Sequence, residues 1–268
     1  MTNAPRPTRF AGESWRTASA MHARVVGAVI MRDLQTRFGA GYFGFLLGIM
    51  IPLAHLTIAI VITTVLGRPA PIGTDGPVFL MTGVLPFILW LYCHRQIMQT
   101  IAQNRSLLYF PSVDIFDLFA ARIIVEIISG TIVAVTLFSS LSILGHHVSA
   151  SEWPNFLGAI VHAWVFGVAT GLIFGGVSAI WPFAMMLGNV MGPILWVSSG
   201  ILFLPDLLPN KISDFIYFNP LAHVVDSARI SFYNEYTSTF YDPIFLNISI
   251  LILLIFGLSM PVLLRKIS

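Results

Sequence analysis

The stretch FLGAIVHAWVFGVATGLIFGGVSAI at residues 156–180 carries no formal charge, and it decides the fold class. Three more uncharged runs of similar length cover residues 43–66, 183–204 and 244–264. About 20 helical residues cross a hydrocarbon core of about 30 Å, so each run can span a bilayer. Residues 78–97 and 116–145 complete two further spans when the charged chain at their ends is included. Because backbone in a bilayer must satisfy its own hydrogen bonds, the sequence predicts an all-α polytopic membrane protein with six transmembrane helices.

The composition leaves little chain for a soluble domain, because 56% of the residues are hydrophobic and only 10% are charged. We expect residues 1–19 to be a flexible cytoplasmic N-terminus and residues 20–268 to be one transmembrane domain. The sequence contains no phosphate-binding glycine loop with its lysine, no H-E-x-x-H and no C-x-x-C. We therefore predict a protein that is not an enzyme, with no catalytic residues, no metal site and no cofactor of its own. His146 and His147 form an isolated pair to which the sequence assigns no role.

The basic residues indicate the orientation in the membrane. If both termini face the cytoplasm, only Arg68, Lys211 and Arg229 of the 14 lysines and arginines lie outside. This bias follows the positive-inside rule and predicts six spans with both ends in the cytoplasm. The predicted outer face is acidic, and nothing in the charge pattern indicates binding of nucleic acid.

Three connecting segments show patterns of their own. Residues 20–38 have an apolar repeat of four beside arginines, which is typical of an amphipathic helix in the inner membrane interface; a helix packed against the bundle is the alternative. Residues 95–116 read as a cytoplasmic helix interrupted at Pro111, with apolar residues that suit either docking to a partner or resting on the membrane. The apolar pattern of residues 205–243 predicts two short helices that lie on the outer membrane interface or dip into it.

Two spacings predict local structure. Small residues recur at every fourth position of residues 159–179, a pattern that favours close approach of another helix. Asp33 with Arg37, and Arg122 with Glu126, are one helical turn apart and suit local ion pairs.

The order and spacing of several short motifs resemble the transmembrane subunits of ABC-2 type ABC exporters, in particular the permeases of bacterial capsular-polysaccharide export. The motifs are MRDLQTRF at 31–38 with Gly44 and Pro52, FLMTGVLP at 79–86, NRSLL at 104–108, Ala121-Arg122, and Asn219-Pro220-Leu221 with Asp226 and Arg229.

The resemblance implies a half-transporter that pairs with a second copy of itself and with two cytoplasmic ATPase subunits, which would hold ATP and magnesium. It implies an interface helix with Arg32, Asp33, Arg37 and Phe38, and a coupling segment that docks on the ATPase. The coupling residues would be Gln103, Asn104, Arg105, Ser106, Leu107, Leu108 and Tyr109. Short periplasmic gate helices would carry Phe215, Phe218, Asn219, Pro220, Asp226 and Arg229.

The resemblance also implies the cargo, a lipid-linked polysaccharide that passes between the two copies. Aromatic rings stack on sugars, so the candidate channel-lining residues are Tyr42, Trp90, Tyr92, Trp164 and Trp196. A periplasmic adaptor and an outer-membrane export protein are further candidate partners. Export of O-antigen, teichoic acid, lipid or drug is the alternative within the superfamily, and a secondary transporter or channel is the alternative of another class. The sequence does not specify the sugar, its charge or its lipid anchor.

Overall fold

The structure, a computed structural model, describes residues 15–37, 50–51, 53–55, 57–58, 61, 70–111 and 113–267. All regular structure in these residues is helical, which agrees with the predicted class. The α-helices are α1 (Trp15–Arg37), α2 (Gly76–Met98), α3 (Thr100–Gln103), α4 (Ile115–Ile143), α5 (Trp153–Ile180), α6 (Phe183–Ser198), α7 (Asn210–Tyr217), α8 (Pro220–Phe232) and α9 (Pro243–Ile267). Arg105–Tyr109 and Pro205–Leu207 form short 3₁₀ helices, and the described residues from 50 to 61 are helical as well.

Four helices, α2, α4, α5 and α9, are long and apolar enough to cross a membrane. They correspond to the predicted spans two, three, four and six. Most of the predicted first span, residues 43–66, lies outside the described residues, so the count of six stays a prediction. Helix α6 has 16 residues and ends at Ser198, six residues before the predicted end of span five.

The early end of α6 has a physical cause. Gly200 takes a positive φ of 70°, a backbone conformation in which glycine avoids the clash that a Cβ would make. The carbonyl groups of Gly200, Ile201 and Phe203 then accept hydrogen bonds from the guanidinium of Arg229, and the Gly200 carbonyl also accepts from the backbone amide of Phe203 at 3.4 Å. A side chain from α8 thus supplies donors to the carbonyls that follow the end of α6.

Helix α2 lies at the centre of the bundle and is buried on almost every side. Helix α5 packs against it through the glycines of the predicted small-residue stripe. A Cβ on Gly167 would lie 2.9 Å from Cys93 Cβ, and one on Gly171 would lie 2.9 Å from the carbonyl oxygen of His94. The described packing therefore confirms that this stripe lets another helix approach closely.

Helix α1 begins at Trp15, which corrects the predicted start near residue 20; no proline or glycine interrupts the chain between Trp15 and Val26. Its face with Val29, Val26 and Ile30 packs on Leu118 and Ala121 of α4. Packing against the bundle, the alternative that the sequence left open, accounts for this face.

Three connections that the sequence predicts to be external meet at one end of the bundle. His146 lies 2.7 Å from Asp75 Oδ2, and the backbone amide of Glu152 donates to Ser231 of α8. Helix α8 is buried among α2, α5 and α9, whereas α7 keeps Phe215 and Phe218 exposed. Of the two predicted short outer helices, one is therefore part of the core and the other lies on the surface.

Candidate functional site: the cytoplasmic junction

At the opposite end, which the charge pattern predicts to be cytoplasmic, α1, the loop of residues 99–114 and the start of α4 meet. We call this region the cytoplasmic junction. The loop leaves α2 at Gln99, forms the single turn α3, tightens into the 3₁₀ helix Arg105–Tyr109 and enters α4 at Asp114.

The tip of the loop presents apolar rings to its surroundings. Tyr109 is 83% exposed and Phe110 is 57% exposed, and Arg105 and Ser106 beside them are exposed too. Exposed aromatic residues next to an arginine are the composition that protein interfaces favour. The tip is therefore a candidate contact surface.

The other face of the loop is fastened to the bundle. Leu107 and Leu108 are half-buried and pack against Val29 of α1 and Leu118 of α4. Asn104 is buried, and its side-chain nitrogen donates to the carbonyl oxygen of Thr100 at 2.9 Å. Of the seven predicted coupling residues, these three anchor the loop, and Arg105, Ser106 and Tyr109 remain on its exposed side. The seventh, Gln103, is exposed but accepts a hydrogen bond from Arg122 of α4.

A buried arginine joins the three segments of the junction. Arg122 of α4 is 4% exposed, and its Nη2 donates to Gln103 Oε1 at 2.7 Å. The same nitrogen lies 3.4 Å from Asp33 Oδ2 of α1. A second bond connects α1 directly to the loop, because Arg32 donates to Asn104 Oδ1.

Another polar contact holds α1 on α4 without involving the loop. His22 Nδ1 lies 2.6 Å from Asp117 Oδ1. Asp117 also accepts from the backbone amide of Asp114, and Asp114 caps Phe116, so the two carboxylates form a capping box at the start of α4. This box fixes the direction in which the chain leaves the loop.

Some of the predicted interface-helix residues lie in the part of the chain that the structure describes, and the others lie outside it. Arg32 is half-buried and Asp33 is buried, and both contact the junction as described. Phe38 and the side chain of Arg37 lie outside the described residues. The pairing of Asp33 with Arg122, across two helices, is one that spacing along a single helix could not reveal.

The candidate channel residues have different surroundings. Trp90 is fully buried, with its Nε1 donating to Thr170 Oγ1 at 3.3 Å, so it is a core residue in this conformation. Trp196 packs edge-on against Phe87, Trp164 packs on the core, and the hydroxyl of Tyr92 lies 3.5 Å from His55 Nδ1. Tyr42 lies outside the described residues.

The predicted gate residues Asp226 and Arg229 are both buried completely. Burial lowers the pKa of Arg229 to about 10, and burial raises the pKa of Asp226 above its ordinary value. Tyr236 donates to Asp226 Oδ1 at 2.8 Å, and the guanidinium carbon of Arg229 lies 4.2 Å from the centre of the Phe79 ring.

The remaining gate residues mark the corner between α7 and α8. Asn219 caps α8 through the backbone amide of Leu221 and donates to Ser198 and Ser199, and Pro220 is the first residue of α8. Asn219 therefore ties this corner to the end of α6. Within the described ranges, no group of three metal-ligating side chains comes together.

Comparison with known proteins identifies relatives over nearly the whole chain. No protein-family model matches it. It is 29% identical over 250 residues to the capsule polysaccharide export inner-membrane protein CtrC of Neisseria meningitidis serogroup B, covering 90% of this chain and 91% of that protein. It is 28% identical to the polysialic acid transport protein KpsM of Escherichia coli (88% and 91% covered) and 27% identical to the capsule polysaccharide export inner-membrane protein BexB of Haemophilus influenzae (92% and 93%). The resemblance seen in the motifs is thereby confirmed, and the chain is a homologue of the inner-membrane proteins of capsule polysaccharide export.

Proposed function

We propose that this chain is the permease subunit of an ATP-driven exporter that moves a capsular polysaccharide across the bacterial inner membrane. Relatives named as inner-membrane proteins of capsule polysaccharide export match nine tenths of the chain, and the described helices include four candidate spans. The polymer passes between two copies of the chain, and both termini face the cytoplasm. A secondary transporter or a channel, the alternative of another class, would need no docking surface for an ATPase.

The observation that carries the proposal is the anchored loop with its exposed aromatic tip. The chain shows no nucleotide-binding motif of its own, so the energy has to enter through a contact with another protein. One face of the loop packs on α1 and α4, and the other face exposes Tyr109 and Phe110. A partner that pushes on the exposed face would therefore pass the force to these helices, because the packed face keeps the loop from collapsing. Two cytoplasmic ATPase subunits are the proposed partners at this surface, and they hold the ATP and magnesium.

The decisive test is co-purification with the ATPase subunit encoded beside this chain. Truncating an aromatic residue at the centre of an interface costs about 2 kcal/mol or more, which corresponds to roughly 30-fold in affinity. We therefore expect Tyr109→Ala and Phe110→Ala each to weaken binding of the ATPase by roughly that factor, while the apparent melting temperature stays unchanged.

The chain offers a matched control at the other end of α4. Ile143 and Leu144 are an adjacent pair of apolar side chains, 84% and 73% exposed, and their replacement by alanine should leave ATPase binding as it is. Equal effects of the two pairs, or full export by the purified chain without any ATPase, would refute the proposal. Staining of surface polymer in a deletion strain separates capsular polysaccharide from O-antigen, teichoic acid, lipid or drug as the cargo.

A further inference from the structure

Three side chains from three separate segments meet at one point of the cytoplasmic junction: Asp33 from α1, Gln103 from the loop and Arg122 from α4. We call them the Arg122 joint. Arg122 and Asp33 are 4% and 3% exposed, so their charges face each other away from water. Gln103 is exposed, and its Oε1 accepts from the same nitrogen of Arg122, Nη2, that lies beside Asp33.

The chemistry of arginine makes this joint stiff. Both contacts are made by one nitrogen of the guanidinium, Nη2, so moving the loop away from α1 draws this nitrogen away from Gln103 or from Asp33. A buried charged pair is also costly to open, because the separated charges regain little water. The loop can therefore shift relative to α1 or α4 only by breaking bonds to a buried charge.

On the basis of the proposed function, we propose that Arg122 is a positioning residue for energy coupling: it makes the docking loop, α1 and the start of the third span move as one body. A push of the ATPase on the loop tip then reaches the span directly. Without the joint the loop yields locally, the ATPase still binds and turns over, and less polymer is moved for each ATP.

A role in local stability alone is the competing explanation, and the contact between His22 and Asp117 separates the two. That contact also fastens α1 to α4, at 2.6 Å, but it does not involve the loop. If fastening α1 were all that matters, breaking either contact would have the same consequence. If the joint transmits motion, only the contact that includes the loop affects coupling.

The experiment uses the full chain with its ATPase, and it measures surface polymer per copy of the chain together with ATP turnover of the complex in nanodiscs. The joint is opened from its two sides by Asp33→Asn and Gln103→Ala, singly and together, with His22→Gln and Gln96→Ala as matched controls. Gln96 is a glutamine at the end of α2 whose replacement leaves the joint intact. Arg122→Lys replaces Asp33→Asn if the latter does not fold, because a lysine keeps a positive charge near Asp33 while its shorter side chain lacks the nitrogen Nη2 that contacts both partners.

We expect each single change to lower polymer moved per ATP about tenfold, the factor that accompanies loss of one hydrogen bond to a charged group, with ATPase binding unchanged. Since both changes open the same joint, the double variant should be no worse than either single one. Unaltered coupling in Asp33→Asn and Gln103→Ala overturns the inference. It is equally overturned if the two losses multiply, which would mean that Gln103 acts on the ATPase directly, or if His22→Gln uncouples as strongly. A wild-type chain that fails to bind the ATPase refutes the proposed function instead.

Discussion

Replacing Gly171 by alanine tests the packing on which the bundle is built. Gly171 lies in α5 where that helix crosses α2. An added Cβ would lie 2.8 Å from Ile97 Cβ and 2.9 Å from the carbonyl oxygen of His94. Neither neighbour can swing aside, because one is a backbone atom and the other is the branched carbon of a stiff side chain. The helices must separate instead.

The magnitude follows from two opposing effects. Overpacking of a close contact costs roughly 1–3 kcal/mol, and the upper end applies here because the backbones themselves have to move. Alanine favours the helix over glycine by about 1 kcal/mol, which offsets part of that cost. We expect a net loss of about 2 kcal/mol in the free energy of unfolding.

The assay is the apparent melting temperature of the purified protein in nanodiscs, where such a loss corresponds to a decrease of about 4–8 °C. Gly158 provides the control, because it lies on the same helix and an added Cβ there meets no atom within 4 Å. Gly158→Ala should be neutral or slightly stabilising. If Gly171→Ala melts at the wild-type temperature, or if both variants lose stability equally, the close approach of α5 to α2 is refuted.

Two more predictions concern the opposite end of the bundle. Arg229→Gln removes the guanidinium that donates to the carbonyls after α6; the Gly200 carbonyl keeps the amide of Phe203, whereas those of Ile201 and Phe203 lose this donor, at about 1–3 kcal/mol each. We expect the free energy of unfolding to fall by about 4 kcal/mol and the folded yield to collapse, measured by size-exclusion chromatography, and Arg229→Lys should retain part of the stability and of the yield. His223 is buried, with its Nε2 donating to Tyr217 and its Nδ1 accepting from the amide of Asp242, and burial lowers its pKa below 6.5. Because the folded protein disfavours the protonated ring, its stability should be full above pH 6.5 and fall as the pH drops toward the lowered pKa. Melting curves from pH 7.5 to 5 should show this decline in the wild type and a smaller one in His223→Gln, and equal slopes would contradict it.

The sequence located the loop of residues 99–114 but could not show which of its side chains form the surface. Its position between two apolar runs and its aromatic residues follow from the order of residues, whereas its assignment as a coupling segment comes from the family resemblance and stays a prediction. Which side chains anchor it and which are exposed depends on where α1 lies, and α1 is separated from the loop by the first two predicted spans. Leu107 and Tyr109, two residues apart and similarly apolar, therefore take opposite roles for a reason that lies in another helix.

Charged residues show the same limit. Spacing along one helix predicts pairs of Asp33 with Arg37 and of Arg122 with Glu126. It cannot predict the contact between helices that places Arg122 Nη2 3.4 Å from Asp33 Oδ2. Helix boundaries behave similarly: hydropathy extends the fifth span to residue 204, but the helix ends at Ser198 because Arg229 of α8 binds the carbonyls that follow.

Hydropathy and charge along the chain were sufficient to predict the class of this protein and its helical content, and the bias of its basic residues could be read directly. The reason is that the bilayer acts on each segment separately. The spacing of the glycines in α5 was also sufficient to predict a close contact with another helix, since residues that recur every four positions lie on one face of a helix. The tertiary structure alone decided the Arg122 joint, the burial of α8 and the exposed tip of the loop. Those features arise from contacts between residues far apart in sequence, and their free energy appears only when the helices have packed.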